Sequence, residues 1–302
     1  MIKKNAIISL ADSNYFELLN ELVDSIKRFK QSEDTAICIL DGGLTEEQKK
    51  ILASKVDEIK SSEWDIKISQ FKTRGKKWLK SLITRAFLTE YFPNYEKYLW
   101  IDADAWVNSW EAVELYFKGC ENKKLAISTS ADRSYGRVLR AEWVIGSFAR
   151  IKSQNYKHAK SSGFSEKIAR EVALKPHLNA GVFALTSDAP HWEVWRKNLE
   201  LSLKSGKVWG SDQIALNITI YHDKLPVEIL PAYCNWTNIG FNGIKYDTKS
   251  KTLVEPYLPN HEIGIIHFAG KHNDNIRNNK NFLSKIECLN GEIIEMKLRF
   301  NN

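Results

Sequence analysis

The stretch Tyr98-Leu-Trp-Ile-Asp-Ala-Asp-Ala-Trp-Val107 sets the frame for the whole chain. An apolar run leads into two carboxylates one residue apart. On an extended backbone, residues i and i+2 project to the same side. Two like charges placed together beside a core repel each other. A hard divalent cation, Mn²⁺ or Mg²⁺, relieves that repulsion, because carboxylate oxygens suit both ions. Such a cation can also bridge a diphosphate and offset the charge that gathers on it as a leaving group. Asp102 and Asp104 are therefore candidate metal ligands. The plainer alternative is a solvated turn after a strand, since an Asp-x-Asp pattern alone is weak evidence.

Outward from this motif the first hundred residues alternate. Ala6 to Leu10 and Ala36 to Leu40 are short apolar runs of strand type. Between them, Leu18, Leu19, Leu22, Val23 and Ile26 recur at helical spacing, with Asn14 as a candidate cap. Leu44 to Ile59 is predicted as a helix capped by Thr45, Ile66 to Phe71 as a third strand, and Trp78 to Tyr91 as a third helix. Tyr98 to Ile101 is then the fourth strand. This alternation implies an α/β fold with a mostly parallel central sheet flanked by helices. Ligands in such sheets bind at the carboxyl ends of the strands, where Asp102 and Asp104 fall.

The second half is less regular. Asp132 to Lys175 carries Ser, Lys and Arg between short apolar stretches, and reads as irregular structure and helices over the sheet edge. Leu178 to Leu185 resumes as a strand, entered through a small-residue turn, Asn179-Ala-Gly181. His191 to Leu203 and Asp212 to Tyr221 read as helices. Glu262 to Phe268 is a late strand with His267 near its end.

The bulk properties bound the function. A 302-residue chain that is 43% hydrophobic can bury a large core. The net charge of +7 is spread along the chain, with one dense stretch from Lys72 to Lys80 and no nucleic-acid motif. It reads as solvated surface with some steering of a phosphate-bearing substrate. Cys38, Cys120, Cys234 and Cys288 lie far apart with no CxxC pair, which argues against a cysteine metal cluster or a disulfide framework. Reduced thiols fit a cytoplasmic protein. The N-terminus reads as a first strand rather than a signal peptide, and no apolar run is long enough to span a bilayer. Peripheral contact with the inner membrane face through the basic surface stays open.

Several further positions are candidates. His267 ends an apolar strand and is followed by Gly270-Lys271. Glycine lets backbone approach a phosphate closely, and lysine brings charge to it. Asp212 and Gln213 open a helix after Gly210-Ser211. The ten tryptophans mostly serve packing, although flat apolar rings also stack on sugar faces.

Taken in order, these blocks resemble the GT-A-fold retaining glycosyltransferases of family 8, which include bacterial lipooligosaccharide galactosyltransferases and glycogenin. The matching blocks are Ala11-Asp-Ser-Asn-Tyr15, Arg85, Trp100-Ile-Asp-Ala-Asp104, Asn179-Ala-Gly-Val182, Ser211-Asp-Gln213 with Leu216-Asn217, and His267-Phe-Ala-Gly270. The resemblance implies a metal-dependent transfer of a hexose from a nucleotide-sugar, with a UDP-sugar as the expected donor and retention at the anomeric carbon. Asp102, Asp104 and His267 would bind Mn²⁺ or Mg²⁺. Ala11, Asp12 and Tyr15 would contact base and ribose, with Ala103 near the ribose. Arg85 would reach the donor's phosphate or sugar. Asn179, Gly181, Asp212 and Gln213 would surround the sugar, with Asp212 and Gln213 at the reacting carbon. Gly270 and Lys271 would touch the diphosphate. Asp132 is the candidate for the acceptor, a glycan, a lipid-linked sugar or a protein. Residues 1–110 would form the nucleotide-binding half of one domain, and 111–302 the acceptor and sugar half with a C-terminal tail.

Two departures stand out. The family carries a lysine three residues after the glycine of its His-Phe-x-Gly block, where this chain has Asn273. Lys271 or His272 is the candidate replacement. A second acid usually follows Asp-Gln, where this chain has Ile214. The rival enzyme class is a sugar-nucleotide nucleotidyltransferase, which would show a Gly-rich phosphate loop after its first strand. The rival outside enzymes is an inactive relative that binds sugar nucleotide or glycan.

Overall fold

The structure is a computed structural model and describes residues 3–73, 75–135, 139–239 and 243–301. Its strands are β1 (Asn5–Ala11), β2 (Thr35–Asp41), β3 (Glu58–Ser61), β4 (Lys97–Ile101), β5 (Ala105–Val107), β6 (Leu125–Thr129), β7 (Leu139–Ile145), β8 (Phe148–Ser153), β9 (Leu178–Thr186), β10 (Val227–Leu230), β11 (Lys245–Asp247), β12 (Thr252–Val254), β13 (Ile265–His267), β14 (Leu283–Cys288) and β15 (Ile293–Lys297). Seven of them form the central sheet in the order β10-β6-β9-β4-β1-β2-β3. The pairs β1–β2, β1–β4, β2–β3 and β10–β6 are parallel, and β9 runs antiparallel between β4 and β6. The mostly parallel α/β sheet expected from the alternation is present in one domain.

Strands β1, β2, β4 and β9 are buried on both faces, which explains their unbroken apolar runs. On one face Ile8, Trp100 and Phe183 meet Trp192, Trp195 and Leu216. On the other, Ile7, Leu99 and Val182 meet Leu19, Leu22 and Val113. Trp100, Trp106, Trp110, Trp192, Trp195 and Trp236 are buried, so most of the ten tryptophans are core.

Several expected boundaries are corrected. The helix after Gly43 spans Glu46–Ala53 only, closed at its start by a reciprocal Thr45–Gln48 capping box. Ile59 lies in β3, a partly buried edge strand that also carries Glu58 and Lys60. Ile66 to Phe71 is not a strand. Ile66 and Ile68 pack from a loop against the core, and Gln70–Thr73 is one helical turn. The helix expected from Trp78 to Tyr91 is three short pieces, Lys77–Lys80, Ser81–Thr84 and Leu88–Tyr91. The first long helix, Phe16–Lys27, is not capped by Asn14. Asp12 Oδ1 instead accepts from the Asn14 and Tyr15 amides, at 3.0 and 3.2 Å. Asn179 to Gly181 is no turn but the start of β9 itself.

The chain beyond Lys245 folds back. β12, β11, β14 and β15 form a second sheet. Trp106 Nε1 donates to Leu298 O at 2.9 Å, and the Trp106 ring packs on Phe300. Buried Arg299 grips Glu21 through two nitrogens, at 2.9 and 2.6 Å. β7 and β8 pair antiparallel as a separate two-stranded ribbon, within the stretch expected to be irregular or helical.

Candidate metal centre and donor cleft

Asp102 and Asp104 do not lie on an extended strand. The chain leaves β4 after Ile101 and re-enters β5 at Ala105 through a turn closed by Ala105 N donating to Asp102 O at 3.1 Å. The turn, rather than strand alternation, aims both carboxylates the same way. His267 arrives because β13 pairs antiparallel with β5, setting His267 opposite Ala105. Phe268 N then donates to Asp104 O at 2.8 Å, which fixes the register. His267 Nε2 lies 3.3 Å from Asp104 Oδ1 and 3.8 Å from Asp102 Oδ2.

The donor set suits a divalent cation. One ligand atom from each of Asp102, Asp104 and His267 falls within 4.8 Å of the others. His267 Nδ1 sits 2.9 Å from Asn235 Oδ1, an acceptor, so Nδ1 carries a proton, and a cation that displaced the proton on Nε2 would meet a lone pair aimed at the carboxylates. Gly181 completes the cradle. A Cβ there would lie 2.4 Å from His267 Cε1 and 2.9 Å from Asp102 Oδ2. The electrostatics agree. Burial raises the Asp102 pKa, and the charges of Arg85 and His267 oppose it without cancelling it. Burial pushes Asp104 up too, but the hydrogen bond and charge of His267 and the charge of Arg277 leave it below its ordinary value. Burial alone would lower the His267 pKa, yet Asp104 and Asp102 together hold it raised. Protons and side-chain cations thus balance a site that is too negative by itself.

Arg85 is one such cation. Where the third helix breaks, it turns inward and stacks 5.1 Å from the Trp100 ring. Its guanidinium donates to Ala180 O at 2.9 Å and to Asp102 Oδ1 at 3.1 Å, and lies 3.2 Å from Asp212 Oδ2. Asp212 is buried at the start of the helix Ser211–Tyr221, and burial raises its pKa against the pull of Arg85. Most of Arg85's hydrogen-bonding capacity is thereby committed to the protein.

These groups face a cleft of about 1370 Å³ at the carboxyl ends of the strands. The lining includes Ala11, Asp12, Tyr15, Arg85, Ala103, Asn179, Gly181, Asp212, Gln213, Gly270 and Lys271. The sequence candidates for the donor therefore converge on one wall-to-wall site. Asp132 does not join them. It lies in an adjoining cavity of about 490 Å³ with Arg133 and Lys175, which shares Gln154 with the cleft. The basic stretch contributes Lys72 and Lys76, and Trp78 meets Trp209 edge to face at 5.6 Å across the rim.

Sequence reasoning missed Arg277. Its Nη1 donates to Asp104 Oδ2 at 3.2 Å and to Phe268 O at 2.5 Å, and its other nitrogen pairs with Asp274. Arg299 donates to Arg277 O at 3.1 Å, tying the C-terminal sheet to the site. Asn273, by contrast, is fully buried with its Nδ2 on Ala269 O at 2.9 Å. Asn235, which holds His267, and His177, which bonds Gln213, were also missed. No spacing in the sequence marks any of these, because each reaches the site by tertiary packing. Among the described residues, no helix is long and apolar enough to cross a membrane.

The site thus sets an Asp-x-Asp turn and a histidine over a large cleft at the carboxyl ends of an open α/β sheet. The chain belongs to glycosyl transferase family 8, whose model matches residues 6–272, and it is a glycosyltransferase. Among curated proteins, none matches it in sequence. Solved structures share the fold at low identity. The apo bifunctional glycosyltransferase WbbM is 16% identical at TM-score 0.57, covering 90% of this chain and 46% of WbbM. The chain thus spans about half of WbbM's length. The galactosyltransferase LgtC, solved with donor and acceptor sugar analogues, is 15% identical at TM-score 0.53, covering 88% of this chain and 87% of LgtC. An active-site mutant of LgtC gives 15% identity and TM-score 0.52, with the same coverage.

Proposed function

We propose that this chain transfers a hexose from a UDP-sugar to a glycan, lipid-linked or protein acceptor, with retention at the anomeric carbon. The single observation that carries the reading is the convergence of Asp102, Asp104 and His267 Nε2 beside a cleft lined by the donor-site candidates. These three side chains would hold Mn²⁺ or Mg²⁺. When bound, the cation offsets charge on the departing diphosphate.

The chain's own residues do the rest. Asn235 keeps Nε2 of His267 aimed at the site. Arg85 holds Asp102 and Asp212 apart in charge and fixed in place. Ala11, Asp12, Tyr15 and Ala103 form the wall assigned to base and ribose. Asn179, Gly181, Asp212 and Gln213 form the wall assigned to the sugar. Gly270 and Lys271 lie on the diphosphate side. Arg277 takes the place of the family's lysine, because Asn273 is buried while Arg277 lines the cleft against Asp104. Asp132 and its cavity are assigned to the acceptor. Residues 1–110 then serve mainly the nucleotide, and 111–302 the sugar and acceptor.

The test is UDP release from a panel of UDP-sugars, with and without Mn²⁺, followed by NMR of the product anomer. Metal-dependent release from one donor with retained configuration supports the reading. No release from any donor, together with no binding of UDP and Mn²⁺ by calorimetry, would sink it.

A further inference from the structure

We infer that His177 is a positioning residue for Gln213, and that the Asn155–His177 pair decides which end of the Gln213 amide faces the donor sugar. This rests on the reading of Gln213 as a sugar-facing residue.

The argument is one of hydrogen-bond elimination. Asn155 is buried, and its Nδ2 donates to Val172 O at 3.2 Å and Lys175 O at 2.9 Å. Both of its donors are spent on carbonyls, so its remaining atom, Oδ1, is an acceptor. His177 Nδ1 bonds that oxygen and must carry the proton. A neutral imidazole has one N–H, so Nε2 presents a lone pair. Burial keeps the ring neutral, taking its pKa down to about 3. The lone pair accepts from Gln213 Nε2, and Gln154 Nε2 lies 3.1 Å away on the same nitrogen. With its NH₂ held by His177, the amide of Gln213 has Oε1 as its free end.

The backbone under Gln213 is fixed by the same strand. Asn217 Nδ2 donates to Gln213 O at 2.7 Å, and Leu178 N, next to His177, donates to Asn217 Oδ1 at 3.0 Å. Gln213 lines the cleft. As the bond from the anomeric carbon to the diphosphate oxygen breaks, its electron pair leaves with that oxygen and the carbon gains positive charge. A fixed amide oxygen stabilises that charge, and a fixed NH₂ would oppose it. Nothing in the sequence around His177 signals this role, since its partners come from residues 154, 155 and 213.

Two variants test it. His177→Leu keeps bulk and removes the acceptor; His177→Gln keeps an acceptor where Nε2 stood. His177→Leu should lower kcat roughly 10- to 100-fold, the cost of losing alignment at a reacting centre, with donor Kd changed less than about 3-fold. His177→Gln should recover most of the rate. The Gln213→Ala/His177→Leu double variant should be no slower than Gln213→Ala. Ring nitrogen NMR of the unsubstituted enzyme should show the Nδ1–H tautomer across about pH 5 to 8. Wild-type kcat in His177→Leu, equal losses in kcat and donor affinity, or an Nε2–H tautomer would each overturn the proposal. If Gln213→Ala turns over normally, the reading of Gln213 itself fails. If Gln213→Ala is slow while His177→Leu is normal, only the positioning role fails.

Discussion

The space that a side chain at Gly181 would occupy is filled by the His267 ring, whose Cε1 lies 2.4 Å from the ideal Cβ position. This glycine sits inside a mostly buried strand, and its carbonyl also accepts from Asp102 N at 2.8 Å. The cradle and the strand are one piece of backbone.

Gly181→Ala should therefore push His267 or Asp102 off the metal position. We expect Mn²⁺ affinity in the presence of UDP to fall about 10- to 100-fold, the range typical of losing ligand orientation. Calorimetry reads it directly. Unchanged affinity would mean that the triad does not hold the cation.

Asn235→Ala should do similar damage by a different route. It removes the acceptor that fixes the His267 proton on Nδ1. Metal affinity should again drop about 10-fold or more, while thermal unfolding without metal should change far less than for Gly181→Ala.

Arg85→Ala should destabilise the fold as well as the site. It leaves Asp102 and Asp212, both facing inward, without their shared cation. Breaking one side of a buried ionic group costs about 3–5 kcal/mol. Urea unfolding should show that loss, and adding Asp212→Asn should return part of it, because one of the stranded charges disappears.

Arg277→Ala should weaken donor binding more than Lys271→Ala does. Arg277 is mostly buried and bonded to Asp104, whereas Lys271 is exposed and pays a larger screening loss. A donor KM raised by Lys271→Ala and left alone by Arg277→Ala would assign the diphosphate contact to the lysine.

Acid should destabilise the protein through two buried histidines. His191 is fully buried and burial takes its pKa down to about 4, while His177 lies at about 3. Between an unfolded value near 6.5 and those folded values, the unfolded chain binds more protons. Their contribution is thus complete above about pH 6.5 and is lost at about 1.4 kcal/mol per pH unit for each histidine as pH falls. Denaturant titrations at about pH 7 and 5 should show it. His191→Gln should flatten the slope by one histidine's share.

Local sequence determined the strands that are buried on both faces, because continuous apolar runs bounded by turns have few other solutions. It determined the long helix Phe16–Lys27 through its apolar spacing, and the helices at His191–Ser205 and Ser211–Tyr221 were legible too. By ordered motif it also determined the family, but it put Asp102 and Asp104 on extended backbone where the structure has a turn. Where apolar residues could satisfy burial from a loop, as Ile66 and Ile68 do, the same signal misled and a polar edge strand was overlooked. Only the tertiary structure decided the site. Strand pairing between β5 and β13 sets His267 against Asp104. The broken helix turns Arg85 inward, and the folded C-terminal sheet props Arg277 from behind. The physical reason is that a metal or sugar site is a sum of long-range placements. Each depends on packing and hydrogen bonds between segments far apart in the chain, and periodicity within a segment carries no record of them.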